Sequence, residues 1–305
     1  MLEENPTKRI NSDELIEKIL KEQPKPEPHS NVIGHDDEVW SVAVLKNQSI
    51  ASGNSKGKIK LWNSVSGHLL NSIEAHRGCV FSLAPIDHER LASGSQDKSI
   101  IVWNVFTGQL ILTLKGHTDA VRCLAVLRGD RLASGSNDTA VIVWDVNTGQ
   151  QLNKLSGHIA GILSLAELEG DNLLASSSRD RRIKIWDLNN NNEIRIMKGH
   201  TDGVRCLLAL PMNTLASASY DSTIRVWDIP TGTLILKLVG HTHYVLALCL
   251  LKDGITMASA SADKTIRLWD IATGEAVAVL KGNVNRISSL ALLEDGRLVS
   301  GSDHG

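Results

Sequence analysis

Serine, histidine and aspartate are the residue types of nucleophilic hydrolysis, in which an acid orients a histidine that activates a hydroxyl. This chain carries them at regular distances. Histidines stand at 35, 76, 117, 158, 200 and 241, with steps of 41, 41, 41, 42 and 41. A run bearing Ser and Asp, "LASGSQD" at 91–97, returns with small changes at 132–138, 174–180, 215–221 and 257–263. An active site is needed once, whereas a fold element is needed in every repeat. Five near-identical copies therefore point to architecture and not to catalysis. "GNSKG" at 53–57 matches G-x-S-x-G, but that motif works only on a strand-to-helix elbow with separate acid and His partners. Here it lies between two β-type runs and reads as a hairpin turn. His241 and His243 form H-x-H, yet His241 belongs to the repeat, so no metal site is expected. No Gly loop with GK[ST] occurs, and no cofactor is expected. The four cysteines, Cys79, Cys123, Cys206 and Cys249, form no CxxC pair and read as free buried thiols in a reducing compartment.

The elements that would position these residues are marked by tryptophan. The chain holds 7 Trp against 2 Tyr and 2 Phe. Six of the Trp fall at 62, 103, 144, 186, 227 and 269, in register with the histidines. Each unit contains short β-type runs separated by Gly, Asn, Asp and Ser. In one unit these are "VRCLAVL" at 121–127, "RLASGS" at 131–136, "AVIVWDV" at 140–146 and "QQLNKLSG" at 150–157. Apolar and small residues alternate along them, as half-buried strands require. "NDT" and "QDK" are short hairpin turns. Each unit is thus read as a four-stranded antiparallel sheet, with a repeat of about 41 residues.

The Gly-His dipeptide, the turn Asp and the Trp-Asp pairs at 144–145, 186–187, 227–228 and 269–270 closely resemble the WD40 repeat family over about residues 30–305. Asn63 and Asn104 replace the Asp in the first two units. The resemblance implies an all-β propeller whose blades circle a central channel. Six units are complete. A seventh begins at Gly282-Asn283 and stops at Gly305, so an incomplete closing blade or a truncated chain is expected. In such rings the outer strand of the last blade usually comes from the N-terminus, and "HSNVI" at 29–33 is placed to supply it. The resemblance further implies a buried hydrogen-bonded set in each complete blade. The sets are His76, Ser93, Asp97, Trp103; His117, Ser134, Asp138, Trp144; His158, Ser176, Asp180, Trp186; His200, Ser217, Asp221, Trp227; and His241, Ser259, Asp263, Trp269. Lys56 stands in place of the Asp in blade one, while Asn283 and His304 depart from the pattern in blade seven.

Bulk properties bound the partners. Of 305 residues, 42% are hydrophobic and 22% charged, and the formal net charge is −2. Residues 1–30 hold 7 acidic and 5 basic side chains, so the remainder balances, and no nucleic-acid partner is expected. No apolar run approaches the roughly 18–20 residues of a membrane span. The N-terminus has no secretion pattern, so a cytoplasmic or nuclear location is expected. Residues 1–28 read as a separate segment from the propeller at 29–305. Within it, "NSDELIEKILKEQ" at 11–23 patterns as one amphipathic helix capped by Asn11, followed by the stiff "PKPEP" linker at 24–28.

If repeated residues build the fold, function lies where the blades differ. In the family, the top face around the channel mouth is the usual docking surface, and two positions per blade point to it. The first reads Trp40, Phe81, Arg122, Leu163, Arg205, Leu246, Ser288; the second reads Ser55, Gln96, Asn137, Arg179, Tyr220, Ala262, Asp303. Tyr244 and Arg286 lie just before the first position of their blades. Arg and aromatic residues dominate binding hot spots. Trp40, Phe81, Arg122, Arg179, Arg205, Tyr220 and Tyr244 are therefore the candidate partner-binding residues of a non-catalytic scaffold for proteins or peptides. Arg179, Arg205 and Tyr220, in "SSSRD", "GHTDGVRC" and "SASYD", are similar to the phosphopeptide-binding blades of F-box WD-repeat substrate receptors. That similarity implies a phosphorylated degradation signal as an alternative ligand. Leu163 departs from that pattern, and the N-terminal segment is too short for an F-box.

Overall fold

The computed structural model describes residues 37–47, 49–170 and 172–302. The helix expected at 11–23, the linker at 24–28, the strand at 29–33, and His35, Asp303 and His304 lie outside these residues. Among the described residues the chain forms six four-stranded antiparallel sheets and one two-stranded sheet, with strands in sequence order within each. The third blade shows the pattern: Val121–Leu127, Arg131–Ser136, Val141–Asp145 and Gln151–Leu155. The seventh holds Ile287–Leu292 and Leu298–Ser302.

The sequence of each strand fits its place in a radial stack of sheets. First strands line the axis, each touching the first strand of the next blade, and Ile287–Leu292 returns to Val39–Val44 to close the ring. Second strands such as Arg90–Ser95 are buried along almost their whole length. Both of their faces meet neighbouring blades, so they are built of Leu, Ala, Ser and Gly. Fourth strands form the rim. Gln151–Leu155 exposes its outer residues and buries only its last leucine. That last apolar residue is buried in five blades, as Ile73, Leu114, Leu155, Met197 and Leu238. Its counterpart in blade six, Leu280, is 44% exposed because it faces the two-stranded seventh sheet.

Serine hydroxyls stitch adjacent blades together. Ser41 Oγ accepts the Leu83 N–H at 3.0 Å, Ser82 Oγ that of Leu124 at 3.1 Å, and Ser164 Oγ that of Leu207 at 3.0 Å. The same bond closes the ring, since Ser289 Oγ accepts the Val42 N–H at 3.0 Å while Ser288 Oγ donates to the Val39 carbonyl at 2.7 Å. Cys123 and Cys206 occupy this stitching position in blades three and five. Burial pushes the Cys123 thiol up to about 12 and raises Cys206 as well, which suits packing and not nucleophilic chemistry.

Five blades contain a hydrogen-bonded chain from turn to core. In the third blade His117 Nδ1 lies 2.8 Å from Asp138 Oδ2, His117 Nε2 lies 2.8 Å from Ser134 Oγ, and Trp144 Nε1 donates to Ser134 Oγ at 2.8 Å. The equivalent contacts span 2.7–3.0 Å for His76, Ser93, Asp97 and Trp103. They span 2.7–2.9 Å for His158, Ser176, Asp180 and Trp186. They are 2.7–2.8 Å for His200, Ser217, Asp221, Trp227 and for His241, Ser259, Asp263, Trp269. Donor counting sets the direction. The carboxylate only accepts, so Nδ1–H donates to it; Nε2 then accepts the Ser O–H, and the Ser oxygen accepts the indole N–H. This direction belongs to a neutral ring, the form that burial favours at His76, His117 and His241. Blade one keeps the Trp62-to-Ser52 bond at 2.7 Å but has Lys56 at the acid's place. There Asn54 Oδ1 accepts the Lys56 and Lys58 N–H groups, and Lys56 Nζ pairs with Asp37 at 2.5 Å.

These chains make the fold acid-sensitive. Burial holds His76, His117 and His241 below the ordinary 6.5, an effect their Asp partners offset only in part. Burial also pushes the five Asp carboxyls up, but their hydrogen bonds outweigh it. All five end below the ordinary 3.8, with Asp263 at about 2. A histidine depressed on folding binds its proton more weakly than the unfolded chain, so stability falls as pH drops below 6.5. A depressed carboxyl contributes stability above 3.8 that is lost as pH falls toward its folded value. Both effects have the same sign. The thermal midpoint should decline from pH 7 to 5 and decline further below 4; a midpoint flat or rising over that range would contradict the assignment.

Candidate interaction surface at the channel mouth

A local irregularity aims the candidate residues at the channel. The first strand of each blade carries a β-bulge just after its opening residue. The residue skipped in the ladder is Trp40, Phe81, Arg122, Leu163, Arg205, Leu246 or Ser288. A bulged residue has no cross-strand partner, so its side chain is redirected from the regular alternation. Nothing in the local composition marks a bulge, and the strict two-residue period of a strand would have placed these side chains otherwise. The seven positions are not equivalent in exposure. Leu163, Leu246 and Ser288 are buried, being small or aliphatic enough to turn into the packing between blades, so they offer nothing to a partner. Trp40, Phe81, Arg122 and Arg205 are half-buried at the innermost strands.

In the six four-stranded blades the second series lies in the hairpin turns between second and third strands, Asp303 being outside the described residues. The backbone N–H of each is tied to the segment just before the first strand of the same blade. Asn137 N–H donates to the Ala120 carbonyl at 2.9 Å, and Ala262 N–H to the Tyr244 carbonyl at 2.9 Å. Arg179 N–H donates to the Gly161 carbonyl and Tyr220 N–H to the Gly203 carbonyl, both at 3.0 Å. Gly203 brings Arg179 and Tyr220 together across two blades. A β-carbon built there would stand 3.1 Å from Tyr220 Cδ2 and 3.3 Å from Arg179 Cα. Tyr220 packs edge-on against Tyr244 at 4.9 Å between ring centroids, and Tyr244 meets His243 at 4.3 Å.

The opposite side of the mouth is an aromatic and cationic stack. Trp40 meets Phe81 at 5.5 Å and 89°. The Arg122 guanidinium lies 3.8 Å from the Phe81 ring centroid and 6.0 Å from that of Trp40, and Arg286 lies 5.2 Å from Trp40. Burial first, then the like charges of Arg205 and Arg179, pull the Arg122 pKa down to about 10, with Tyr220 opposing. Arg122 remains a cation at neutral pH. Among the described residues, none of Arg122, Arg179 and Arg205 forms an ion pair with a carboxylate. Asn137 Oδ1 and Trp40 Nε1 are buried without a hydrogen-bond partner. The mouth thus gathers aromatic edges and cations, of which Arg122, Arg179 and Arg205 have no carboxylate partner among the described residues. Trp40 and Phe81 are more enclosed than their sequence positions suggested, because each lies against another side chain of the same face.

No group of three or more His, Cys, Asp or Glu among the described residues could hold a metal ion. No helix among them is long and apolar enough to cross a membrane.

Comparison with known proteins places this arrangement. The model described as "WD domain, G-beta repeat" matches residues 27–63, 191–228 and 232–270, and the WDR41 β-propeller model matches residues 68–191. No curated protein matches the chain. A solved structure described as the crystal structure of the WD40 beta propeller domain of Doa1 superposes with a TM-score of 0.80 at 27% identity. It covers 88% of this chain and 91% of that one. Propellers of this kind are generally non-catalytic protein-interaction scaffolds. Repeat, sheet topology and comparisons agree, and the chain carries WD40 repeats folded as a WD40 β-propeller.

Proposed function

We propose that this propeller is a non-catalytic intracellular adaptor that docks protein partners on the face carrying the channel mouth. Arg122, Arg179, Arg205, Tyr220 and Tyr244 would be its principal contacts. The observation that carries this reading is the gathering of Arg122, Arg179 and Arg205 without a carboxylate partner among the described residues. Three guanidiniums at half-buried or exposed positions repel one another, and an anionic partner relieves that repulsion. Truncating Arg hot spots typically costs about 2 kcal/mol or more each. Affinity capture with the wild-type chain and with the Arg179→Ala, Arg205→Ala double variant tests it. The expected result is a defined set of proteins lost from the variant, while an unaffected melting curve shows the fold intact. An identical capture profile for both would refute docking at this face.

A second reading, a receptor for a phosphorylated degradation signal within a ubiquitin-ligase complex, is favoured by Tyr220 and Arg179 meeting across Gly203. Guanidinium forks bind phosphate oxygens bidentately. On a phosphopeptide array, binding should depend on phosphorylation and vanish in the same double variant. Phosphopeptide binding indifferent to both arginines would remove this reading.

A further inference from the structure

We propose that Phe81, backed by Trp40, is a positioning residue that holds the Arg122 guanidinium ready for an anionic group of a docked partner, so that Arg122 and not the aromatic rings makes the contact. This rests on the docking reading above and adds a division of labour within the face.

The stack runs through bulge residues of three consecutive blades. Trp40, Phe81 and Arg122 each sit at the unpaired position of an innermost strand. Their backbones are locked by the blade-to-blade serine bonds beside them, Ser41 to Leu83 and Ser82 to Leu124. The 3.8 Å approach of Arg122 to Phe81 covers one face of that ring, and Trp40 closes on its edge. Phe81 therefore has little ring surface left for a partner. Trp40 has its only polar atom, Nε1, buried without a partner, so it cannot act as a hydrogen-bonding contact in this arrangement. Arg122 has no carboxylate to hold it among the described residues, and its nearest charges are like charges. The Phe81 π-face is the nearer of the two aromatic faces the described residues give it, Trp40 lying farther off. A guanidinium whose flat face rests on a ring keeps its N–H edge free for oxygen acceptors. Blades four and six carry Leu163 and Leu246 at the same position, so the device is confined to one side of the mouth.

The full chain, deuterated and labelled on arginine with ¹³C and ¹⁵N, provides the test. Inorganic pyrophosphate serves as the anionic probe. In the wild type the Arg122 side-chain protons should be shifted upfield by the Phe81 ring current, unlike those of Arg179. Pyrophosphate should move the Nε–H signals of Arg122, Arg179 and Arg205. Phe81→Leu should abolish the ring-current shift and weaken pyrophosphate binding by about tenfold, and Phe81→Tyr should restore both. Arg122→Gln should cause a similar loss, to which Phe81→Leu adds nothing. The proposal is overturned if Phe81→Leu leaves the Arg122 signals in place. It is equally overturned if that substitution weakens binding further in the Arg122→Gln background. If the ring-current signature behaves as stated but pyrophosphate moves no arginine signal, the stack exists and the anion-docking reading itself fails.

Discussion

Replacing Ser134 by alanine should destabilise the propeller by about 2–6 kcal/mol, since two buried groups are orphaned at about 1–3 kcal/mol each. The Ser134 hydroxyl is the junction of its blade. It donates to His117 Nε2 and accepts the Trp144 indole N–H, both at 2.8 Å, and it is completely buried. Alanine leaves an imidazole nitrogen and an indole N–H without their partner inside a core that includes Leu132 and Ile142. The loss is large for a single oxygen because the two partners have no other acceptor or donor in reach. Urea unfolding followed by tryptophan fluorescence measures it. Ser66→Ala, in an exposed turn, should stay within about 0.5 kcal/mol of the wild type. A Ser134→Ala midpoint indistinguishable from that of Ser66→Ala would show that the chain of bonds is geometrically present but energetically disconnected.

One residue later, Gly135→Val should be at least as damaging, through packing and not polarity. A β-carbon at Gly135 would stand 2.5 Å from Ile162 Cγ2 and 2.7 Å from Cys123 Sγ. Ile162 belongs to the following blade and is fully buried, and Cys123 is buried on the axial strand, so neither can retreat. Overpacking of this kind costs about 1–3 kcal/mol and occasionally more. Valine places two further methyl groups beyond the clashing atom, which should push blades three and four apart. The expected outcome is a sharply reduced soluble yield and a lower melting midpoint, with Gly135→Ala intermediate. Blades four, five and six tolerate Ser177, Ala218 and Ala260 at the corresponding position, so the constraint is set by each pair of neighbours. A Gly135→Val protein melting with the wild type would mean the blades adjust freely at this contact.

The two substitutions differ in how far the sequence announced them. Ser134 recurs as Ser93, Ser176, Ser217 and Ser259 at a fixed distance before the Trp, and its partners recur with it. Gly135 recurs only in part, as Gly53, Gly94 and Gly301, and whether glycine is required there depends on which side chain the next blade turns inward. The same split runs through the channel mouth. That Arg122, Arg179 and Arg205 interrupt an otherwise regular pattern was visible in the chain. That Leu163 and Leu246 turn inward at the same bulge, that Asn54 and Asp37 hold the turn of blade one where the acid is missing, and that serine hydroxyls bolt four of the blade junctions were not. No local signal distinguishes a serine that bonds a neighbouring blade from one that does not.

By itself the sequence determined the unit: about 41 residues, four strands, and a polar chain ending on a tryptophan, because those features depend on contacts within one repeat. It also determined how many such units the chain completes. Only the tertiary structure decided what faces what. Ring closure sets Arg122 against Phe81 and brings Gly203 between Arg179 and Tyr220, pairs drawn from different blades and separated by about one repeat in sequence. Periodicity fixes the position of a residue within its own blade. The contacts that carry recognition form between blades, where the rotation from one sheet to the next and the bulge on each inner strand determine which side chains meet.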